Sequence, residues 1–340
     1  MPLSLSAQPS FLISYILKTL SALSIALVTL CLYRNGMGEK PLQAMLLIAM
    51  PTIVASLLLK QDGIQTWLLN DISVVSFFIL YISMIVKMVN VKFSSLWIPL
   101  LTVPVSCVFY LTGGLKAMVL CVIALLTILT VAKEKNVFKE SGVALGAIIS
   151  IFIVMVMLFS YIATKNESMM ARVYEFVSPS KYQRTAYLWN SVKNAPLFTY
   201  DTTNKFIANV GTYYGCTYGH LMMIFGNIPI MLFMLIQLCG VFMMIWRSFK
   251  LKKNFNQLAA LVCSVTIGVQ LMFSIGSTFL RTPINEFGTP FVTIVGVEYC
   301  VIPIILYGFM VYYDDKKIVK KKETKPLHMH IMNFIGMYDD

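Results

Sequence analysis

Residues 221–246 read LMMIFGNIPIMLFMLIQLCGVFMMIW, and no side chain in the stretch is charged. A bilayer core of roughly 30 Å needs about 20 apolar helical residues, so this run is long enough to cross one. It ends on RSFKLKK, residues 247–253, and a basic flank of that kind marks the cytoplasmic end of a span. Similar apolar runs lie at 11–33, 42–59, 71–85, 96–111, 115–132, 143–163, 258–275 and 290–313. The sequence therefore predicts an all-α fold. It is a polytopic transmembrane helix bundle of about nine spans, forming a single integral membrane domain over residues 1–340.

Composition agrees with that reading. Of the 340 residues, 58 % are hydrophobic and 12 % charged, where a soluble domain carries about 25 % charged residues. A disordered chain, a disulfide scaffold and a soluble nucleic-acid binder are excluded, and no nucleic-acid partner is expected. Cys31, Cys107, Cys121, Cys239, Cys263 and Cys300 lie in apolar runs, where cysteine behaves as a small hydrophobe. Cys216 alone falls in a loop, so no disulfide framework is implied. His328 and His330 stand in the tail without cysteine or acid partners and read as solvated, so neither metal nor cofactor is expected.

The net charge of +12 is spread over short basic clusters between the apolar runs. Arg34, Lys40, Lys87, Lys92, Lys133, Lys135, Lys139, Arg247 and Lys250 fall in one set of alternating loops, and the lysines of 316–325 follow the last run. The opposite set is poorer in bases outside one long loop, and long loops count little. The expected topology puts the basic tail, 314–340, in the cytoplasm and the N-terminus outside. The first run is too long for a cleavable signal and lacks a basic region before it. The tail lysines read as a positive-inside anchor, or more sharply as a contact for anionic head groups. Lys18, inside the first run, reads as a snorkelling side chain.

The long loop, 164–220, lies on the outer side in this topology. It mixes Tyr, Trp, Arg, Lys, Asn and Asp with apolar stretches, more aromatic content than disordered loops carry. A loop of that length in a compact protein is usually functional. Its expected form is a set of amphipathic segments lying on the bundle near the head groups.

Three blocks in and after this loop carry a resemblance. Residues 274–297, SIGSTFLRTPINEFGTPFVTIVGV, place Pro283, Pro290, Phe291 and Gly296 in register with a block of the SEDS family, the FtsW/RodA/SpoVE-like membrane proteins of bacterial wall synthesis. Thr293 stands where that family has serine. Proline-interrupted backbone at membrane depth survives only beside protein or a polar cavity. Residues 172–198 resemble the family's large-loop block at Arg172, Phe176, Pro179, Tyr182, Gln183, Leu188, Leu197 and Phe198. Ala186-Tyr187 replaces the family's Gln-Ser there, and Ala195-Pro196 its Gly-Gly. Residues 220–229, HLMMIFGNIP, resemble the outer end of the helix that follows the loop, with Gly226 in place. A weaker match lies earlier: Trp67 and Asp71 resemble a W…PSE stretch, although Asp71 reads equally as a helix cap. Gly113-Gly114 stands for a Pro-Asp pair.

The resemblance implies a divergent SEDS member in the bacterial plasma membrane. It implies a peptidoglycan glycosyltransferase that takes an undecaprenyl-linked, lipid II-like precursor and works beside a partner transpeptidase. Such chemistry needs a base for the acceptor hydroxyl and cations for the leaving pyrophosphate. Arg172, Lys205 and Arg281 are the candidate cations, because guanidinium and ammonium groups match phosphate oxygens. Lys181, Arg184 and Lys193 are further cations on that side. Tyr182, Gln183, Pro283, Pro290 and Phe291 complete the candidate substrate-binding set.

The expected base is missing. The family's loop aspartate would fall at Gly215, and residues 211–227 contain no carboxylate. Asp201 and Glu286 are the candidate catalytic acids that remain, with His220 a third group able to take a proton near neutral pH. Glu298, in the last run, is an ionisable residue at membrane depth and so a functional candidate. Alternatives stay open: a non-catalytic SEDS-like protein that binds a lipid-linked precursor or a division partner, or an O-antigen-type polymerase or ligase. The O-antigen reading lacks the support of the Pro283–Gly296 register. A transporter built on inverted repeats ranks last, because the two halves show no paired broken helices.

Overall fold

The computed structural model describes residues 192–200, 217–252, 254–279, 289–290 and 298–314, with isolated positions between 16 and 177. Four helices have defined bounds: α1 Thr217–Phe225, α2 Asn227–Phe249, α3 Asn254–Thr278 and α4 Glu298–Asp314. Upstream, the described positions of 118–134 and 145–164 are helical; all but Glu134 and Thr164 fall within two predicted spans. Met170, Tyr174 and Val177, in the predicted outer loop, are helical too.

Among the four described helices α3 is central. It packs against α2 on one side and α4 on the other, and α1 touches both α2 and α3. Small side chains make this possible. Ala259, Ala260, Cys263 and Ser264 are buried along α3, and small residues let helices approach closely where lipid offers no hydrophobic drive. At Gly268 a Cβ would stand 3.0 Å from Val241 Cγ1 of α2.

Among the described residues two helices are long and apolar enough to cross a membrane, Asn227–Phe249 and Asn256–Thr278, with 11 % and 67 % of their apolar windows buried. The low figure matters more. Helix α2 turns Met231, Leu232, Leu235, Phe242, Met243 and Trp246 outward, and so large an apolar face calls for lipid around it rather than water. Leu145, Ile149, Phe152, Val156 and Met157 repeat this signature upstream.

The sequence-predicted span at 221–246 is not one helix. Tyr218 donates its hydroxyl proton to Gln237 Oε1, and the Tyr218 and Phe233 rings lie 6.4 Å apart. In a continuous helix Tyr218 and Gln237 would stand about 28 Å apart. The chain instead doubles back at Gly226, whose φ is 92°. Helix α1 is thus a short helix folded along the first half of α2. Tyr218, His220 and Met222 are buried there, as non-spanning backbone at that depth must be. Pro290, expected as the first residue of the last span, is not helical, and α4 is defined over Glu298–Asp314.

The opposite end of α2 is closed by a carboxylate. Asp314, buried at the end of α4, accepts the Lys252 N–H at 2.8 Å through Oδ2 and the Asn256 side-chain amide at 3.2 Å through Oδ1. It serves the entry of α3 as a cap supplied from another helix. Gln257 donates to the Phe249 carbonyl at 3.1 Å, and the Tyr307 hydroxyl to the Met244 carbonyl at 3.2 Å. Lys250 Nζ sits 4.9 Å from the Trp246 ring centroid, an interfacial pairing of cation and aromatic.

Candidate functional site

The hairpin tip organises the described part of the site. Helix α2 begins with no side-chain cap, which leaves its first N–H groups without intrahelical acceptors. Two consecutive carbonyls from the long loop fill that need. Asn227 N–H donates to the Pro196 carbonyl at 2.9 Å and Ile228 N–H to Leu197 at 3.1 Å. The Asn227 side chain donates to Ala195 at 2.8 Å. Thr199 N–H returns a bond to the Phe225 carbonyl at 3.3 Å. Residues 195–199 therefore lie as a strap across the tip. Val192, buried among Tyr218, Met222, Ile230, Met234 and Leu271, holds the start of the strap.

Only glycine fits beneath it. A Cβ on Gly226 would stand 2.6 Å from the Leu197 oxygen and 2.7 Å from Phe198 Cα. Both are backbone atoms, so neither can rotate away.

Below the tip, Gln237 is a bridge. Its Oε1 accepts from Tyr218, and its Nε2 donates to the Pro290 carbonyl at 3.4 Å. Thr289, next to Pro290, shares a 2.6 Å hydrogen bond with Ser274 of α3, and both are buried. Cys300 of α4 donates its thiol to Gln270 of α3 at 3.4 Å. Strap, hairpin and proline block are thus joined by polar contacts inside an apolar bundle, where such contacts fix one arrangement. A Gln237→Leu substitution is expected to cost about 1–3 kcal/mol, because it leaves the fully buried Tyr218 hydroxyl without this acceptor. Adding Tyr218→Phe is expected to recover part of that loss, and a double-mutant cycle on thermal unfolding in detergent measures the coupling.

His220 is 4 % exposed, and burial lowers its pKa to about 4. The neutral imidazole is the folded form. Below the ordinary value near 6.5 the unfolded chain takes up a proton that the fold resists, so stability falls as pH drops from about 6.5 toward about 4. The expected loss is of order 3 kcal/mol by pH 4. His220→Gln is expected to flatten that slope in unfolding measured across pH. A base with this affinity for protons is also a weak one at neutral pH.

Of the sequence-predicted site residues, Pro290 is described: it is buried and its carbonyl meets Gln237. Asp201, Glu286, Arg172, Tyr182, Gln183, Lys205, Arg281, Pro283 and Phe291 lie outside the described residues. Leu197, Phe198 and Gly226, from two of the three motif blocks, touch at the strap. Sequence reasoning missed Gln237 and Tyr218. The signal for Gln237 is a polar amide in the middle of a charge-free run. Among the described residues no cluster of His, Cys, Asp and Glu suits a metal ion.

No family model and no curated protein matches the chain. Its fold is similar to that of a solved chain described under "Structural coordination of polymerization and crosslinking by a peptidoglycan synthase complex". The TM-score is 0.57 at 11 % identity, over 89 % of this chain and 98 % of that one. At that identity the likeness establishes the fold, and the chain folds like a component of a peptidoglycan synthase complex.

Proposed function

We propose that the chain is a SEDS-like membrane component of bacterial peptidoglycan synthesis. In this reading it holds an undecaprenyl-linked, lipid II-like precursor under its outer loop. The observation that carries the reading is the meeting of the three motif blocks at one hairpin. Leu197 and Phe198 lie over Gly226, and Pro290 is tied to the same hairpin through Gln237. Arg172, Lys205 and Arg281 balance the pyrophosphate. Tyr182, Gln183, Pro283, Pro290 and Phe291 line the path of sugar and lipid. Glycan transfer forms a bond from an acceptor hydroxyl to the donor sugar and breaks the bond from that sugar to undecaprenyl pyrophosphate. Asp201 or Glu286 takes the hydroxyl proton. A transpeptidase is the natural partner, in keeping with a complex that couples polymerization to crosslinking.

A second reading, binding without transfer, is favoured by the absence of a carboxylate from 211–227. Polymerisation of labelled lipid II by the purified chain separates the two. Polymer from wild type that vanishes with Asp201→Ala or Glu286→Ala names the base. Bound lipid II without polymer, with polymer appearing on Gly215→Asp, assigns the binding role. Neither binding nor polymer overturns both.

A further inference from the structure

We propose that residues 196–200 are a lipid-boundary anchor, seating Leu197, Phe198 and Tyr200 in the membrane interface at the start of α2. This surface goes beyond the functional reading above and needs only that α2 crosses the bilayer. Depth comes first. Helix α2 has 23 residues, a length of about 34 Å, so its first residue lies at one edge of a core of roughly 30 Å. The strap is bonded to Asn227 and Ile228 and shares their depth.

Exposure and a partly satisfied backbone come second. Leu197, Phe198 and Tyr200 are 65 %, 67 % and 71 % exposed. An irregular segment reaches lipid only when its polar backbone is occupied. Here the Pro196 and Leu197 carbonyls accept, Thr199 N–H donates and Pro196 has no N–H, and at the interface, unlike the core, head groups and water serve the backbone groups that remain.

Continuity names the occupant. The strap adjoins Ile228, and Met231, Leu232 and Leu235 carry the exposed apolar face onward along the lipid side of α2. Residues 195–200 hold no charge, whereas exposed Lys193 and Asn194 stand just before them. Tyrosine belongs at such a boundary, with an apolar ring and a wet hydroxyl. The Tyr200 ring lies 5.9 Å from that of Phe225, which ties this end of the strap to the hairpin.

The test is photocrosslinking of the full chain in phosphatidylethanolamine/phosphatidylglycerol proteoliposomes. Benzoylphenylalanine replaces Phe198, Tyr200, Leu235 or Lys193 in turn, and adducts are identified by mass spectrometry. Lipid adducts at 198 and 200 comparable to those at 235, and roughly tenfold above those at 193, are expected from the preference of aromatic side chains for the interface. If 198 and 200 behave as 193 does while 235 still labels lipid, the anchor is overturned. Adducts at 198 and 200 to protein in place of lipid overturn it equally, and assign the surface to a docked chain. The substituted positions are exposed, so loss of folding does not stand in for either outcome.

Discussion

Gly226→Ala is expected to cost about 3–5 kcal/mol and to release the strap from the hairpin tip. Two effects add. A residue with a side chain at φ 92° carries a backbone penalty of about 1–2 kcal/mol. Its Cβ also drives the Leu197 carbonyl away from Ile228 N–H. The neighbouring bonds from Asn227 to Pro196 and Ala195 then loosen, each worth about 1 kcal/mol. Gly240→Ala is the control. That position has nothing within 4 Å of the new Cβ, and in mid-helix alanine is the better helix former by about 1 kcal/mol. Thermal unfolding in detergent and tryptic cleavage after exposed Lys193 both read the change. Cleavage is expected to rise steeply in the Gly226 variant and to stay at wild-type level in the Gly240 variant.

Asp314→Ala is expected to cost about 2–4 kcal/mol at the other end of the bundle. The substitution removes the acceptor for the Lys252 N–H and for the Asn256 side chain together. Hydrogen bonds to a charged acceptor are worth about 1.5–3 kcal/mol each, before any relaxation. Asp314→Asn keeps one acceptor oxygen and is expected to lose about half as much. A graded order of wild type, Asn, Ala in unfolding temperature checks this. Equal losses for both variants would assign the stabilisation to charge rather than to the two bonds.

Much of this architecture is legible from residues alone, for physical reasons. Helix α3 was expected at 258–275 and runs Asn254–Thr278, because a long apolar run with small residues has one stable use in a membrane. The α2–α3 turn was marked by Arg247, Lys250 and Lys252. The doubling back at Gly226 was not legible, since glycine inside an apolar run is ordinary in membrane helices. What makes Gly226 a turn is the strap above it, nearly thirty positions earlier in the chain. Asp314 was assigned to the tail because its partners, Lys252 and Asn256, are remote in sequence. Pro290 reads as part of the last span, whereas in the structure it lies in a turn and its carbonyl meets Gln237. The motif blocks mark the loop, the helix end at Gly226 and the proline segment, but not that the three meet. They did not foretell that Gln237 would join them, since a glutamine in a span pairs with whatever the fold brings to it.

The proposed function requires that the face under the strap grip a pyrophosphate-linked glycan lipid. Its most direct test is equilibrium binding of fluorescent lipid II to the full chain in nanodiscs. The account predicts saturable binding that ordinary phospholipid does not displace. It also predicts roughly tenfold weaker binding for Arg281→Ala and for Lys205→Ala, the loss of one charge-assisted contact. Binding no tighter than that of phosphatidylglycerol, unchanged by either substitution, would contradict it.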